Sequence, residues 1–190
     1  LLMAEALNDA NELTKAFDTY THLAYQYELP ADKKLNGANA GYAAVVLAQT
    51  LIERSENSGV NGGIDNANKQ LWQNRFIDQS LAFADNYSED PRAVNVMSVS
   101  AERLLQSSRQ PEAVLAATRV TNWQPQASAS LRRTAWLVLG QSEFDLLNYV
   151  GSEQAYEQAL LLTSKASPER GSLVDRRAAS VYKHACLSYI

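Results

Sequence analysis

Few side chains in this sequence have chemistry to offer, and their spacing decides against most of it. His184 and Cys186 are the only histidine–cysteine neighbours, a couple that can serve as base and nucleophile. Two residues apart on a helix, however, they point about 200° from one another and form neither a dyad nor a chelate. Gly140-Gln141-Ser142 begins like the strand-to-helix elbow that exposes a nucleophilic serine, but Phe144 stands where the closing glycine belongs and no strand leads in. Glu153 and Glu157, flanked by Gln154 and Gln158, read as a solvated face rather than an acid–base pair. His22 stands alone on its helix. Gly59, Gly62 and Gly63 lack both the preceding strand and the lysine–serine or lysine–threonine pair of a phosphate-binding loop. Arg170, Arg176, Arg177 and Lys183 form the one basic cluster of note, read as a wet helix surface or as a dock for an acidic partner. The expectation is a chain that is not an enzyme, with no catalytic, cofactor-binding or metal-binding residues.

Composition narrows the class further. With 190 residues, 46% apolar and 20% charged, the chain is long enough for one sizeable core or for a stack of several repeats. A formal charge of −4 argues against nucleic acid or anionic lipid as a partner. The longest apolar run, Tyr42 to Ala48, is far shorter than the roughly 20 residues of a membrane span. A single cysteine excludes an internal disulfide framework. The opening LLMAEAL reads as the middle of a helix, so the expectation is an internal piece of a longer protein.

The elements that carry these residues are helices, and one stretch sets their period. From Asp90 to Pro125 the sequence holds a complete helical hairpin, whose closing proline comes 34 residues after Pro91. Asp90 can cap a helix and Pro91 suits its first turn. Met97, Ala101 and Leu104 then make a stripe spaced by four and three, accompanied by Val94. Ser107 to Gln110 breaks the pattern, Pro111 restarts it, and Ala113, Ala117 and Val120 form a second, narrow stripe of small residues. Such a hairpin cannot bury its faces alone, so neighbouring copies must complete it.

This unit resembles a tetratricopeptide repeat. That family places large, small and large residues on the first helix, here Met97, Ala101 and Leu104. On the second helix it places small, aromatic or small, and small residues before a terminal proline, here Ala113, Ala117, Val120 and Pro125. Ser108 occupies the turn where glycine is common. The resemblance implies an all-α fold, a right-handed α-solenoid of antiparallel helix pairs, with repeats at about 1–30, 34–90, 91–125 and 126–166 and a partial one at 168–190, all in one domain.

The other repeats follow the same frame. Ala4 and Leu7, then Ala16, Tyr20 and Leu23, fit the first, with Asn8 to Asn11 as its turn; Phe17, Tyr20, Tyr25 and Tyr27 read as core or half-buried wall, since no basic residues interleave with them. A long helix from about Lys34 to Glu56 packs through Ala40, Ala43, Ala44 and Leu47, with Gly41 allowing close approach. Residues 55–66 read as an inserted surface loop, and Asp65 as the cap of a helix carrying Leu71, Trp72, Phe76, Leu81 and Phe83. Leu131, Ala135 and Val138 then answer Ser152, Tyr156 and Ala159; Ser152 falls 39 residues after Ala113, so about five extra residues lie in SEFDLLNYVG, and Gly151-Ser152 reads as the stop and cap. Ser167-Pro168-Glu169 opens a final helix that is either the polar-capped end of the solenoid or half of a pair whose partner helix lies outside this stretch, a reading that exposed Leu187, Tyr189 and Ile190 would suit.

The family uses the first helices of its repeats to line a concave groove that takes an extended peptide or partner helix. Carried over by frame, the groove residues are Asn95, Ser98, Glu102, Arg132 and Trp136, with Arg132 and Trp136 the anchors. The lysine–asparagine set with which some members clamp a C-terminal carboxylate is absent. The expected function is a noncatalytic scaffold or adaptor; the alternative is a helical substrate-positioning domain of a larger enzyme whose catalytic domain lies outside this stretch. Alanine-rich helices and junctions such as YSEDPRA are also similar to tetratricopeptide proteins of the bacterial envelope, which implies the periplasm or outer-membrane periphery, the cytoplasm being the alternative.

Overall fold

The computed structural model describes residues 1–26, 30, 34–57 and 66–187. Tyr27, Gly59, Gly62, Gly63, Asp65, Tyr189 and Ile190, all singled out above, lie outside the described residues. Among those described there are nine helices and no strand: α1 (Leu2–Asp9), α2 (Leu13–Tyr25), α3 (Lys34–Asn57), α4 (Asn66–Asn86), α5 (Ala93–Gln106), α6 (Gln110–Thr121), α7 (Ala129–Asp145), α8 (Tyr149–Leu161) and α9 (Arg170–Leu187). None is long and apolar enough to cross a membrane. The chain divides into two compact units, Leu1–Val96 and Met97–Ile190, with the boundary inside α5.

In the first unit α1 packs on α2, α2 on α3 and α3 on α4. The α1–α2 turn closes with Asn11 in the left-handed region at φ 61°. The Asn11 N–H donates to the Asn8 carbonyl and the Glu12 N–H reaches back to the Leu7 carbonyl, which satisfies two carbonyls orphaned at the helix end. Ala16, Phe17 and Tyr20 are buried on α2. Phe17 meets the Trp72 ring edge-on at 5.2 Å, and the Arg75 guanidinium lies 4.8 Å over Trp72. Gly41 does allow a close approach: a methyl there would sit 3.0 Å from the Tyr25 hydroxyl oxygen and 3.1 Å from the Phe83 ring.

Helix α3 spans the expected stretch from Lys34 to Glu56 and ends at Asn57, so Ser55 and Glu56, where the 55–66 loop is drawn to begin, belong to the helix, and the Ser55 hydroxyl donates to the Leu51 carbonyl one turn back. Of the apolar residues that α4 carries, Trp72, Phe76 and Phe83 are buried, Leu71 is exposed and Leu81 half-buried, while Ile77, Ser80 and Ala84 complete the core. Apolar residues are spread around α4, so its inward face cannot be read from the largest side chains alone.

The junction that opens the 34-residue unit is a knot of side chains. Asp90 accepts the Arg92 backbone N–H at 2.9 Å and two guanidinium contacts at 2.8 and 2.7 Å. Helix α5 therefore begins at Ala93, later than Asp90 and Pro91 suggested, because the carboxylate closes a turn ahead of the helix. The Arg92 guanidinium stacks 4.6 Å from the Tyr42 centroid and donates to Asn39. The Tyr87 hydroxyl ties α4 to α2 through the Ala24 carbonyl at 2.6 Å.

In the second unit α6 packs on α7, α7 on α8 and α8 on α9. Met97, Ala101, Leu104, Ala113, Ala117 and Val120 are all 0% exposed. These are the six side chains that the repeat spacing selects. Pro111 lies in the first turn of α6, where its missing N–H costs nothing. The α5–α6 and α7–α8 turns repeat the geometry seen at Asn11: Ser108 at φ 56° and Leu147 at φ 64°, each donating to the carbonyl three residues back. Arg109 and Asn148 then bond the carbonyls of Leu104 and Glu143. Ser108 and Leu147 stand 39 residues apart, the offset that separates Ala113 from Ser152.

Gly151-Ser152 is not the stop and cap of α8. Asn148 caps it, its side chain accepting from the Gly151 N–H, and Leu147 makes the left-handed turn. Ser152 instead lies buried inside α8, donating to the Gly140 carbonyl at 2.7 Å, with the Ser180 hydroxyl of α9 at 2.9 Å. The five extra residues thus sit in α7 and its turn.

Candidate protein-binding surface

The residues chosen for the groove fall on α5 and α7. On α5, Asn95 is exposed, Ser98 is 2% exposed and Glu102 is half-buried. Asn95 belongs to the first unit and the other four to the second. Burial raises the Glu102 carboxyl above its ordinary range, opposed by the charge of Arg103.

On α7, Arg132 and Trp136 are four residues apart and therefore share a face. Both are half-buried. Ser128 caps the helix, its hydroxyl accepting from the Leu131 N–H, and this fixes the first turn from which Arg132 projects. The Arg132 Nε donates to the Ala127 carbonyl at 3.1 Å. The guanidinium is thereby held against its own helix start, which lowers the entropy lost when it meets a carboxylate or carbonyl. An indole one turn away supplies apolar area and one N–H donor. This arrangement offers groups suited to recognition: a cation, a hydrogen-bond donor and a flat apolar surface.

Two members of the basic cluster, Arg170 and Arg177, take structural roles that spacing did not disclose, while Arg176 and Lys183 are exposed. Arg170 Nη1 donates to the carbonyls of Leu160 and Thr163, both at 2.9 Å, and so closes the C-terminus of α8. Arg177 joins Glu153 at 3.0 Å and Glu157 at 3.9 Å, so the paired carboxylates face an arginine of α9. Arg133, passed over in the sequence, bonds the Thr163 hydroxyl at 2.9 Å and pairs with Glu169. His184, Cys186 and His22 are exposed. Among the described residues no three His, Cys, Asp or Glu side chains are grouped to hold a metal ion.

Gly140 is the position whose role the sequence concealed most. It resembled the start of a nucleophile elbow, but it lies in α7 under the Tyr156 ring, with Ser142 buried beyond it. A glycine inside a helical pattern was itself the signal, since it costs about 1 kcal/mol against alanine and calls for a packing reason.

The described residues are thus helical throughout their regular structure, and the helix pairs α1 to α4 in one unit and α6 to α9 in the other pack in chain order. Compared with models of protein families, with curated proteins and with solved structures, the chain matches none.

Proposed function

We propose that the chain is a noncatalytic protein–protein interaction scaffold or adaptor, built as a tetratricopeptide-like right-handed α-solenoid of antiparallel helix pairs. It binds an extended peptide or a partner helix on a concave groove lined by first helices. The observation that carries this reading is the recurrence of one packing scheme. Large, small and large residues recur at one spacing on α5 and α7, the six side chains that this spacing selects on α5 and α6 are 0% exposed, and three interhelical turns pass through a single left-handed residue at Asn11, Ser108 and Leu147. Within the second unit Arg132 and Trp136 are the anchors and Glu102 the charge that selects against acidic ligands; Ser98, nearly covered, offers a ligand little surface.

The test compares wild-type protein with the double variant Arg132→Ala, Trp136→Ala as bait in cell extract, with helicity checked by circular dichroism. The expected result is loss of at least one recovered partner from a variant that keeps wild-type helicity. Identical recovery of every partner by both baits would remove the groove assignment.

A further inference from the structure

On α9, Val174, Ala178 and Val181 repeat the large, small, large spacing of Met97, Ala101, Leu104 and of Leu131, Ala135, Val138. Met97, Ala101, Leu104, Ala135 and Val138 are buried, whereas Val174 is 49% and Val181 42% exposed. With Leu160 of α8 and with Arg177, Tyr182 and Ala185 they line an open groove of about 510 Å³, where the Arg177 charge is met by Glu153 of α8 at 3.0 Å. Helix α8 takes the Leu173 and Ser180 side of α9, about 120° round the helix, and leaves this face clear.

The order along the face is Val174, Ala178, Val181, Ala185: large, small, large, small. Reversed, it reads small, large, small, large, so the face fits itself when the direction is inverted. We propose that α9 pairs antiparallel with α9 of a second copy of this chain, about a two-fold axis level with the junction of Ala179 and Ser180. Val174 then meets the partner's Ala185, and Ala178 the partner's Val181, so that every valine falls on an alanine. An antiparallel two-fold also brings like flanks together. Asp175 and Tyr182 lie on one flank, and each Tyr182 comes within about one turn of the partner's Asp175, so the phenol O–H can donate to that carboxylate twice per dimer. Arg176 and Lys183 lie roughly 180° from the face and do not confront their copies. A parallel pair would set valine on valine and place Tyr182 and the partner's Asp175 on opposite flanks.

One helix pair about 27 Å long covers less than the ~800 Å² per partner of a standard interface, so the dimer is weak and concentration-dependent. Sedimentation equilibrium over a wide concentration range should show a monomer–dimer equilibrium. Tyr182→Phe should weaken it about tenfold. Ala178→Glu, an exposed site, should abolish it without loss of helicity. For register, Ala178→Cys in a Cys186→Ser background should form an intermolecular disulfide on oxidation, since the two copies of position 178 lie about three residues apart along the axis. Val174→Cys should not, with its copies about eleven residues apart. A monomer at every concentration, or equal cross-linking at 174 and 178, would overturn the proposal.

Discussion

A methyl group added at Gly140 would lie 2.7 Å from Cε1 of Tyr156. The ring is 1% exposed and has nowhere to go, so α7 and α8 cross at this distance only because residue 140 has no side chain. The same approach lets Ser152 reach the Gly140 carbonyl. Gly140→Ala is therefore expected to destabilise the protein by about 1–3 kcal/mol. Gly171→Ala, where nothing lies within 4 Å, should be neutral or stabilise by about 0.5 kcal/mol. Urea unfolding of the two variants checks the contrast, and equal effects would show that the Tyr156 contact does not set the packing distance.

Leu147 is 66% exposed and sits at φ 64°, a conformation that costs a side-chain-bearing residue about 1–2 kcal/mol. Glycine relieves that cost but loses about 0.5–1 kcal/mol in unfolded-state entropy. Leu147→Gly should raise stability by up to about 1 kcal/mol, and Leu147→Val should lower it, as a β-branched side chain tolerates the left-handed region poorly. Thermal melts of both variants test this, and the opposite ranking would contradict the turn geometry.

Two carboxylates make opposite contributions to the pH dependence of stability. The side-chain hydrogen bonds from Arg92, with its backbone N–H, hold Asp90 below its ordinary value of 3.8. The unfolded chain takes up that proton first, so the contribution is present above pH 3.8 and is lost as pH falls through the folded value. Burial instead raises Glu102 above 4.5, so its contribution is present below pH 4.5 and is lost as pH rises through the folded value. Asp90→Asn should thus destabilise at neutral pH, with the difference closing in acid. Glu102→Gln should stabilise at neutral pH, with the difference closing below pH 4.5. Denaturant curves at several pH values measure both slopes.

Trp72 is buried against Phe17, while Arg75 covers its ring and reaches Asp18 at 3.5 Å. Trp72→Ala should cost about 3–5 kcal/mol through lost burial and a cavity. Arg75→Ala should cost only ~0.5–1 kcal/mol, the worth of a partly exposed cation–π contact. Equilibrium unfolding separates the two, and similar losses would mean that the cation dominates this cluster.

The positions legible in the sequence are those where packing repeats. Met97, Ala101, Leu104, Ala113, Ala117 and Val120 follow from spacing because a helix turns by a constant angle and small residues mark close approach. The start of α8 was not legible, because Leu147 takes a left-handed conformation that its side chain disfavours, and the adjacent Gly151-Ser152 offered a more conventional stop. Burial on α4 was half legible, since Ile77 and Ser80 carry no stronger signal than Leu71. The pairing of Arg177 with Glu153 joins α9 to α8 and that of Arg133 with Glu169 joins α7 to the turn before α9, and no local pattern encodes them. Of the surface, the pairing of Arg132 with Trp136 on one face was readable from their separation, whereas the near-complete cover of Ser98 depends on tertiary neighbours.

Because the main interhelical packing in each unit joins helices adjacent along the chain, every such contact closes only a short loop. Such contacts have less loop-closure entropy to overcome than pairings between distant segments, so each unit can add its helices one after another. During synthesis, each helix meets its partner as soon as the next one has emerged.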